Sequence, residues 1–333
     1  MNIYDISQKA GVSIATVSRV LNNSPNVSAK TRDKVLAVME ENSYTPNIYA
    51  RGLGLNSMNT IGILCADSSD IYLANAVYYL ERELRGHGYS SILCCTGYDL
   101  ENKQNCMKLL QSKRVDAIIL VGSHFVEKKA KDNAYILRAA DEMPVMLMNG
   151  YLKHSNIYCI YCDELQAVYE ATSMLLEEGC KYPIYLYRTL SYSAIQKKEG
   201  FIQALKKHHI DYGDRIFQCS HDVGGVKDYL LSLYDSGKYF DAILASDDEI
   251  AIGAIKFAKA KNLKLPENLS IIGHNNSKIA KYCEPELTSI DSKQETLCIH
   301  AVITLMRIFS NENVANKTVF SAELITRETT NKK

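Results

Sequence analysis

Residues 3–22 read IYDISQKAGVSIATVSRVLN, two short apolar-faced stretches separated by a single glycine. The spacing predicts a helix from about Tyr4 to Ala10 that stops at Gly11, whose missing Cβ suits a tight turn. Ser13 is placed to cap a second helix, Ile14 to Asn22, by accepting from its first free amides. Val12, Val17, Val20 and Leu21 would form the buried side of that helix. Helix, glycine turn and helix at this spacing make a helix-turn-helix, in which the second helix enters the major groove with its N-terminal residues nearest the bases. In that pose Ile14, Ala15, Thr16, Ser18 and Arg19 lie on the exposed side or at its edge. Arg19 is the one long donor, matched to a guanine edge or a phosphate. Ile14 and Ala15 suit a thymine methyl, and Thr16 and Ser18 suit phosphate.

The surrounding charge is local. Within residues 1–55, Lys9, Arg19, Lys30, Arg32, Lys34 and Arg51 oppose Asp5, Asp33, Glu40 and Glu41, which leaves +2. Over all 333 residues, 38 basic and 38 acidic side chains cancel, so a DNA-binding surface has to be confined to one module. Hydrophobic residues are 47% and charged residues 23%, a balance that excludes a disordered chain. The length corresponds to about two domains plus a small module. The start, MNIYDISQKAGVS, lacks the basic and then apolar order of a secretory signal, and no run reaches membrane-spanning length, so the expected location is the cytoplasm. In that compartment the ten cysteines are expected to remain thiols, and Cys159 and Cys162 form a CxxC inside a strand with no second pair to complete a zinc site.

Beyond Thr60 the pattern changes to alternating strands and helices. Strands are predicted at 61–66, 90–95, 117–122 and 145–150, separated by helices at 74–86, 101–112 and 131–142. A second round has strands near 157–162, 184–188, 215–219, 242–246 and 269–273, with helices near 163–178, 194–208, 223–236 and 248–261. A helix at 293–310 and a strand at 318–327 follow both rounds. Strand, helix, strand at this spacing gives right-handed crossovers and parallel sheets. The fold class is therefore an all-α helix-turn-helix headpiece followed by an α/β core of two doubly wound parallel-sheet subdomains. We divide the chain into a helix-turn-helix DNA-binding domain at 1–45, a short helix and linker at 46–59, and a core at 60–333. Within the core, the N-subdomain takes 60–158 plus 291–317 and the C-subdomain 159–290 plus 318–330. A ligand is expected beyond the carboxyl ends of the strands, between the subdomains.

No GxGxxG follows the first strand, and neither GxxxxGK[ST] nor GxSxG occurs, so dinucleotide, nucleoside-triphosphate and α/β-hydrolase chemistry lack their motifs. Asp247, Asp248 and Glu249 can be read as catalytic or metal-binding carboxylates, but they follow a strand and open a helix, where acidic groups meet the helix dipole favourably. His208 and His209 end a lysine-rich helix without acidic or cysteine partners nearby in sequence. No catalytic residue, metal site or cofactor is predicted.

The stretch AGVSIATVSRVLNNSPNVSAKTRDKVLAVMEENSYTPNIYARGL resembles the DNA-binding headpiece and hinge helix of the lac repressor (LacI/GalR) family, since VSxxTVSRVLN, VSxxTRxKV and YxPNxxAR occur in order at the family's spacing. The likeness extends more loosely through KRVDAIIL, SDDEIAIGAIKFAKAKNLKLPENLSIIGHNNS and PELTSID. It implies a homodimer on double-stranded operator DNA, a core similar to type I periplasmic binding proteins, and repression controlled by a small effector, a sugar or sugar derivative. By the same resemblance, Ile14 and Ala15 take the operator-specificity positions, and Thr16, Ser18, Arg19 and Asn22 the further DNA contacts. Asn47 takes a phosphate contact, and Leu53 the leucine that wedges into the minor groove and kinks the DNA. Gly52 and Gly54 beside it weaken a helix by about 1 kcal/mol each, so the hinge is expected to fold only on DNA. The implied ligand contacts are Asp67, Ser69, Tyr72, Lys197, Ser246, Asp247 and Asn275. Two depart from the sugar-responsive pattern, because Lys197 stands for Arg and Asn275 for Asp, a pair that grips hydroxyls by forked charged hydrogen bonds. Tyr72 is suited either to stacking on a sugar face or to the core. Three other readings stay open here: a regulator driven by a protein co-effector, a solute-binding protein, and an enzyme on the same core fold.

Overall fold

A computed structural model describes residues 1–22, 24–44, 57–219 and 222–331. Residues 45–56, which hold Asn47, Leu53 and most of the expected hinge helix, lie outside the described residues. Contact density divides the chain into two units, of which the first is the N-terminal module.

That module contains three helices: α1 (Ile3–Ala10), α2 (Ile14–Leu21) and α3 (Ala29–Glu41). Each starts at a side-chain cap. The Asn2 side chain takes the amides of Tyr4 and Asp5 while the Asp5 carboxylate takes the Asn2 amide, and Ser13 and Ser28 cap α2 and α3. Helix α1 ends where Gly11 turns to φ +59°, a left-handed conformation that other residues rarely adopt. Ile6, Ala10, Val17, Val20, Val35 and Met39 are buried together, with Val12 and Leu21 packed partly buried against them.

The core carries two six-stranded sheets. Its strands are β1 (Thr60–Cys65), β2 (Ser90–Cys95), β3 (Ala117–Val121), β4 (Val145–Met148), β5 (Ile157–Cys162), β6 (Pro183–Tyr187), β7 (Ile216–Gln218), β8 (Ala242–Ala245), β9 (Ser270–His274), β10 (Thr288–Asp291), β11 (Lys317–Phe320) and β12 (Glu323–Ile325). The helices between them are α4 (Ile71–Gly86), α5 (Leu100–Ser112), α6 (Ala134–Glu142), α7 (Glu164–Glu177), α8 (Tyr192–Lys207), α9 (Val223–Asp235), α10 (Asp248–Ala260), α11 (Lys278–Tyr282) and α12 (Gln294–Phe309). The first sheet runs β11-β5-β4-β3-β1-β2 and the second β12-β10-β9-β8-β6-β7. Pairing is parallel from β1 through β3, β4 and β5 to β11, and from β7 through β6, β8 and β9 to β10, while β12 joins β10 antiparallel. The inner strands β3, β4 and β8 are continuous apolar runs, as sheets covered on both faces require, while the edge strands are mixed. The Ala117–Val121 and Val145–Met148 strands are buried at every position.

Two sequence expectations need correction. Strand 157–162, assigned to the opening of the second subdomain, pairs with β4 and β11 in the first sheet. The expected strand 318–327 is two strands, β11 in the first sheet and β12 in the second. Both errors have one cause: side-chain alternation reports which faces are buried but not which edge a strand joins. The first half therefore runs to Cys162 and is completed by 317–320, and the second starts where Asp163 caps α7. Helix α12, assigned to the first subdomain, lays Leu297, Ala301 and Leu305 into the core of the first half. All ten cysteines are free thiols, with Cys159 and Cys162 buried in β5. Among the described residues no helix is long and apolar enough to cross a membrane.

Candidate functional site

The recognition surface is assembled by caps and a small core. Burial of Val17 and Val20 turns the opposite side of α2 outward, leaving Ile14, Ala15 and Arg19 exposed and Thr16, Ser18 and Asn22 half-buried. Ile14 is 39% exposed at the first position of its helix, where an apolar side chain gains nothing from water. Thr16 is held at the helix start, its hydroxyl 2.9 Å from that of Ser13 and its amide bonded to Ser13 Oγ. Arg32, counted by sequence with the basic excess, is spent internally: its guanidinium donates to the carbonyls of Val20 and Ser24, closing the end of α2. Lys9 similarly donates to Asn42.

In the core, the strand ends of the two halves face a cleft with two joined compartments of about 340 and 500 Å³. Asp70, Tyr72, Arg188, Asp247 and Asn275 line both. Of the expected contacts, Tyr72, Lys197, Ser246, Asp247 and Asn275 are brought together here. Asp67 and Ser69 line neither compartment, because Asp67 Oδ1 accepts from the Ser69 amide (2.8 Å) and hydroxyl (2.7 Å) in a local turn. Those backbone and hydroxyl hydrogen bonds hold the exposed Asp67 carboxyl below its ordinary range. Asp70 points into the cleft instead and also caps α4 through the Leu73 amide.

Lys197 does not offer a free fork. It is 7% exposed, and its Nζ donates to the Ser246 carbonyl at 3.1 Å and lies 4.0 Å from Glu164. Glu164 is itself 2.6 Å from His274 Nε2. Burial pushes the Glu164 carboxyl up, but His274 and Lys197 outweigh it and the net shift is downward. The close approach of α8 to α7 that sets this cluster depends on Gly200, where a Cβ would sit 2.2 Å from the Leu165 carbonyl. A guanidinium nevertheless faces the cleft from a position the sequence reading passed over. Arg188 Nη2 reaches Glu249 at 2.7 Å and Asp247 at 3.3 Å. Burial disfavours its charge, but Asp247 and Glu249 outweigh that, so the guanidinium is held more firmly protonated.

Tyr72 is fixed by the Asn149 amide, which donates to its phenol oxygen at 2.6 Å, and burial pushes the phenol pKa upward. Ser123 of the first half donates to Ser191 Oγ at 2.8 Å and accepts from Ser193 Oγ at 2.9 Å, both in the second half. Asp70 lies in the stretch 67–73 that the resemblance pointed to, whereas Tyr98, Ser123, Asn149 and Arg188 were missed, although these four follow β2, β3, β4 and β6 within three residues. The strand-end rule would have found those four. The Asp247–Glu249 run is not a joint catalytic or metal site: Asp247 caps α10 and shares Arg188 with Glu249, while Asp248 is clamped by Ser277 and Ser289. Among the described residues no group of three or more His, Cys, Asp or Glu is arranged to hold a metal ion.

Two family models match the chain. Residues 2–47 match bacterial regulatory proteins of the lacI family, and residues 58–331 match periplasmic binding proteins and the sugar binding domain of the LacI family. An HTH-type transcriptional regulator of Lachnoclostridium phytofermentans is 56% identical over 332 residues, covering 99% of this chain and all of that protein. Catabolite control protein A of Staphylococcus aureus is 33% identical over 294 residues, 87% of each chain. In fold, the chain is similar to a lac repressor dimer bound to operator and the anti-inducer ONPF, with a TM-score of 0.89, 22% identity and 99% coverage of both chains. A helix-turn-helix of this form joined to a two-sheet core of this topology thus belongs to the LacI family of bacterial transcriptional regulators, and the protein is a DNA-binding regulator rather than an enzyme.

Proposed function

We propose that the protein is a cytoplasmic, homodimeric repressor of carbohydrate-utilisation genes, controlled by a sugar or sugar derivative bound in the core cleft. The observation that carries this reading is the exposed face of α2, where an apolar Ile14 and a long donor, Arg19, stand at adjoining turns of a capped helix. Ile14 and Ala15 read base edges, Arg19 grips a guanine or a phosphate, and Thr16, Ser18 and Asn22 hold the backbone. Asn47 adds a phosphate contact and Leu53 wedges the minor groove at the operator centre. Two such modules in a dimer call for a palindromic site with half-sites about one helical turn apart. The cleft supports the second part of the reading, because its lining of amide, hydroxyl, carboxylate and guanidinium groups matches a polyhydroxyl ligand.

The test is operator selection with full-length protein, followed by mobility-shift titration with and without sugars. A palindromic site whose occupancy changes with a sugar is the expected result. Binding that shows no sequence preference, with a salt dependence unaltered by Arg19→Ala, would remove the reading.

A further inference from the structure

The cleft carries more information than its likeness to a sugar site. Three of its cations are already engaged: Arg188 by Asp247 and Glu249, Lys197 by Glu164 and the Ser246 carbonyl, Lys293 by Asp291 and Glu323. Carboxylates outnumber cations in both compartments, three to two among the Asp, Glu, Lys and Arg side chains of the inner one and six to four in the outer one. Asp70 stands on the first half, and its carboxyl is pushed up by burial and then by the charges of Glu249 and Asp247 on the second half. Another negative charge placed between those walls meets repulsion, and the two cations there, Arg188 and Lys197, already have partners. Lys278 and Lys281, on the outer rim, are exposed to water, where their pull on an anion is screened.

The inner compartment also holds an acceptor that nothing meets. Asn149 is 7% exposed, its Nδ2 is spent on Tyr72, and its Oδ1 has no donor among the described residues. A buried acceptor left this way costs free energy that a ligand hydroxyl would recover. The two compartments run into each other through Asp70, Tyr72, Arg188, Asp247 and Asn275, and a ring-sized ligand would fill one of them only.

Resting on the reading of the cleft as a sugar site, we infer that its ligand is an uncharged disaccharide spanning both compartments, and that Asp70 turns away phosphorylated and acidic sugars. Neutral hydroxyls supply the donors that Asn149, Asp70, Asp247 and Glu249 can accept, and the absence of ligand charge avoids the repulsion.

The experiment uses the full-length protein in thermal melts with cellobiose, maltose, lactose, melibiose, sucrose and trehalose, set against glucose 6-phosphate, fructose 1,6-bisphosphate and galacturonate. At least one neutral disaccharide should raise the melting temperature by about 2 °C or more at about 10 mM, with the anionic sugars silent. An anionic sugar that stabilises more than every neutral one overturns the inference, and so does silence from all six disaccharides. Asp70→Asn keeps a good helix cap and removes the charge, so it should tighten binding of an anionic sugar by about tenfold relative to the neutral ligand. An unchanged ratio removes Asp70 from that role. Operator binding measured on the same preparations separates the two levels. Its loss would count against the regulator reading, whereas intact operator binding with a preference for anions would count against this inference alone.

Discussion

The two halves of the core share one strand order and put different chemistry on the cleft. The second half presents charges, and the buried ones are tied to partners on their own side: Arg188 to Asp247 and Glu249, Lys197 to Glu164, Glu164 to His274. The first half presents Asp70 and a set of neutral groups, the phenols of Tyr72 and Tyr98, the Asn149 amide and the Ser123 hydroxyl. The charged wall is thus paired largely within its own half, while the neutral wall carries groups that can both donate and accept hydrogen bonds. Ser123 already does so, bonding two serines of the opposite half.

The most damaging way to test this contrast is to cut the charged wall. Glu164→Ala leaves Lys197 and His274 buried without their carboxylate, and should cost about 3 kcal/mol in denaturant unfolding. The loss should depend on pH with a definite sign. Because the Glu164 carboxyl is held below its ordinary value, its contribution is present in full above the unfolded-state pKa and disappears as the pH falls through the lower folded-state value. The wild type and Glu164→Gln should therefore converge in stability in acid, and a gap that widens there would contradict the assignment. Next, Gly200→Ala forces α8 away from the Leu165 carbonyl and should cost about 1–3 kcal/mol, measured by the same unfolding curves. Equal stability to wild type would mean that the helices do not pack as closely as described.

Arg19→Ala serves as the outside control, since Arg19 belongs to neither half. It should leave the melting temperature in place and weaken operator binding by about 1–3 kcal/mol per site in a mobility-shift titration. The smallest effect belongs to the neutral wall. Ser123→Ala removes a hydroxyl shared by Ser191 and Ser193 and should cost about 1 kcal/mol or less in thermal stability. A loss as large as that from Glu164→Ala would erase the distinction between the walls.

The headpiece was legible in sequence because its determinants are local. Asn2, Gly11, Ser13 and Val17 act over three or four residues, so caps, turn and buried face can be read from one short stretch. The alternation of strands and helices in the core was legible for the same reason. The cleft was only partly so. Arg188 and Glu249 meet across 61 residues, and nothing in either local stretch announces the pair. The family pattern pointed to Lys197 as the hydroxyl-gripping cation, whereas burial and Glu164 occupy it and the guanidinium comes from a different strand end. Strand 157–162 was misassigned because its neighbours in the sheet, β4 and β11, are separated from it by eight residues on one side and 154 on the other.

That last pairing has a consequence for how the chain is made. The first sheet lacks its edge strand until Lys317–Phe320 has been synthesised, so the half that begins at Thr60 is finished only when about nineteen-twentieths of the protein has left the ribosome. Until then β5 presents an open edge, a ready template for mispairing, and a chain that terminates early never covers it. A chain that stops short of Lys317 should therefore be found with chaperones or in aggregates rather than on DNA.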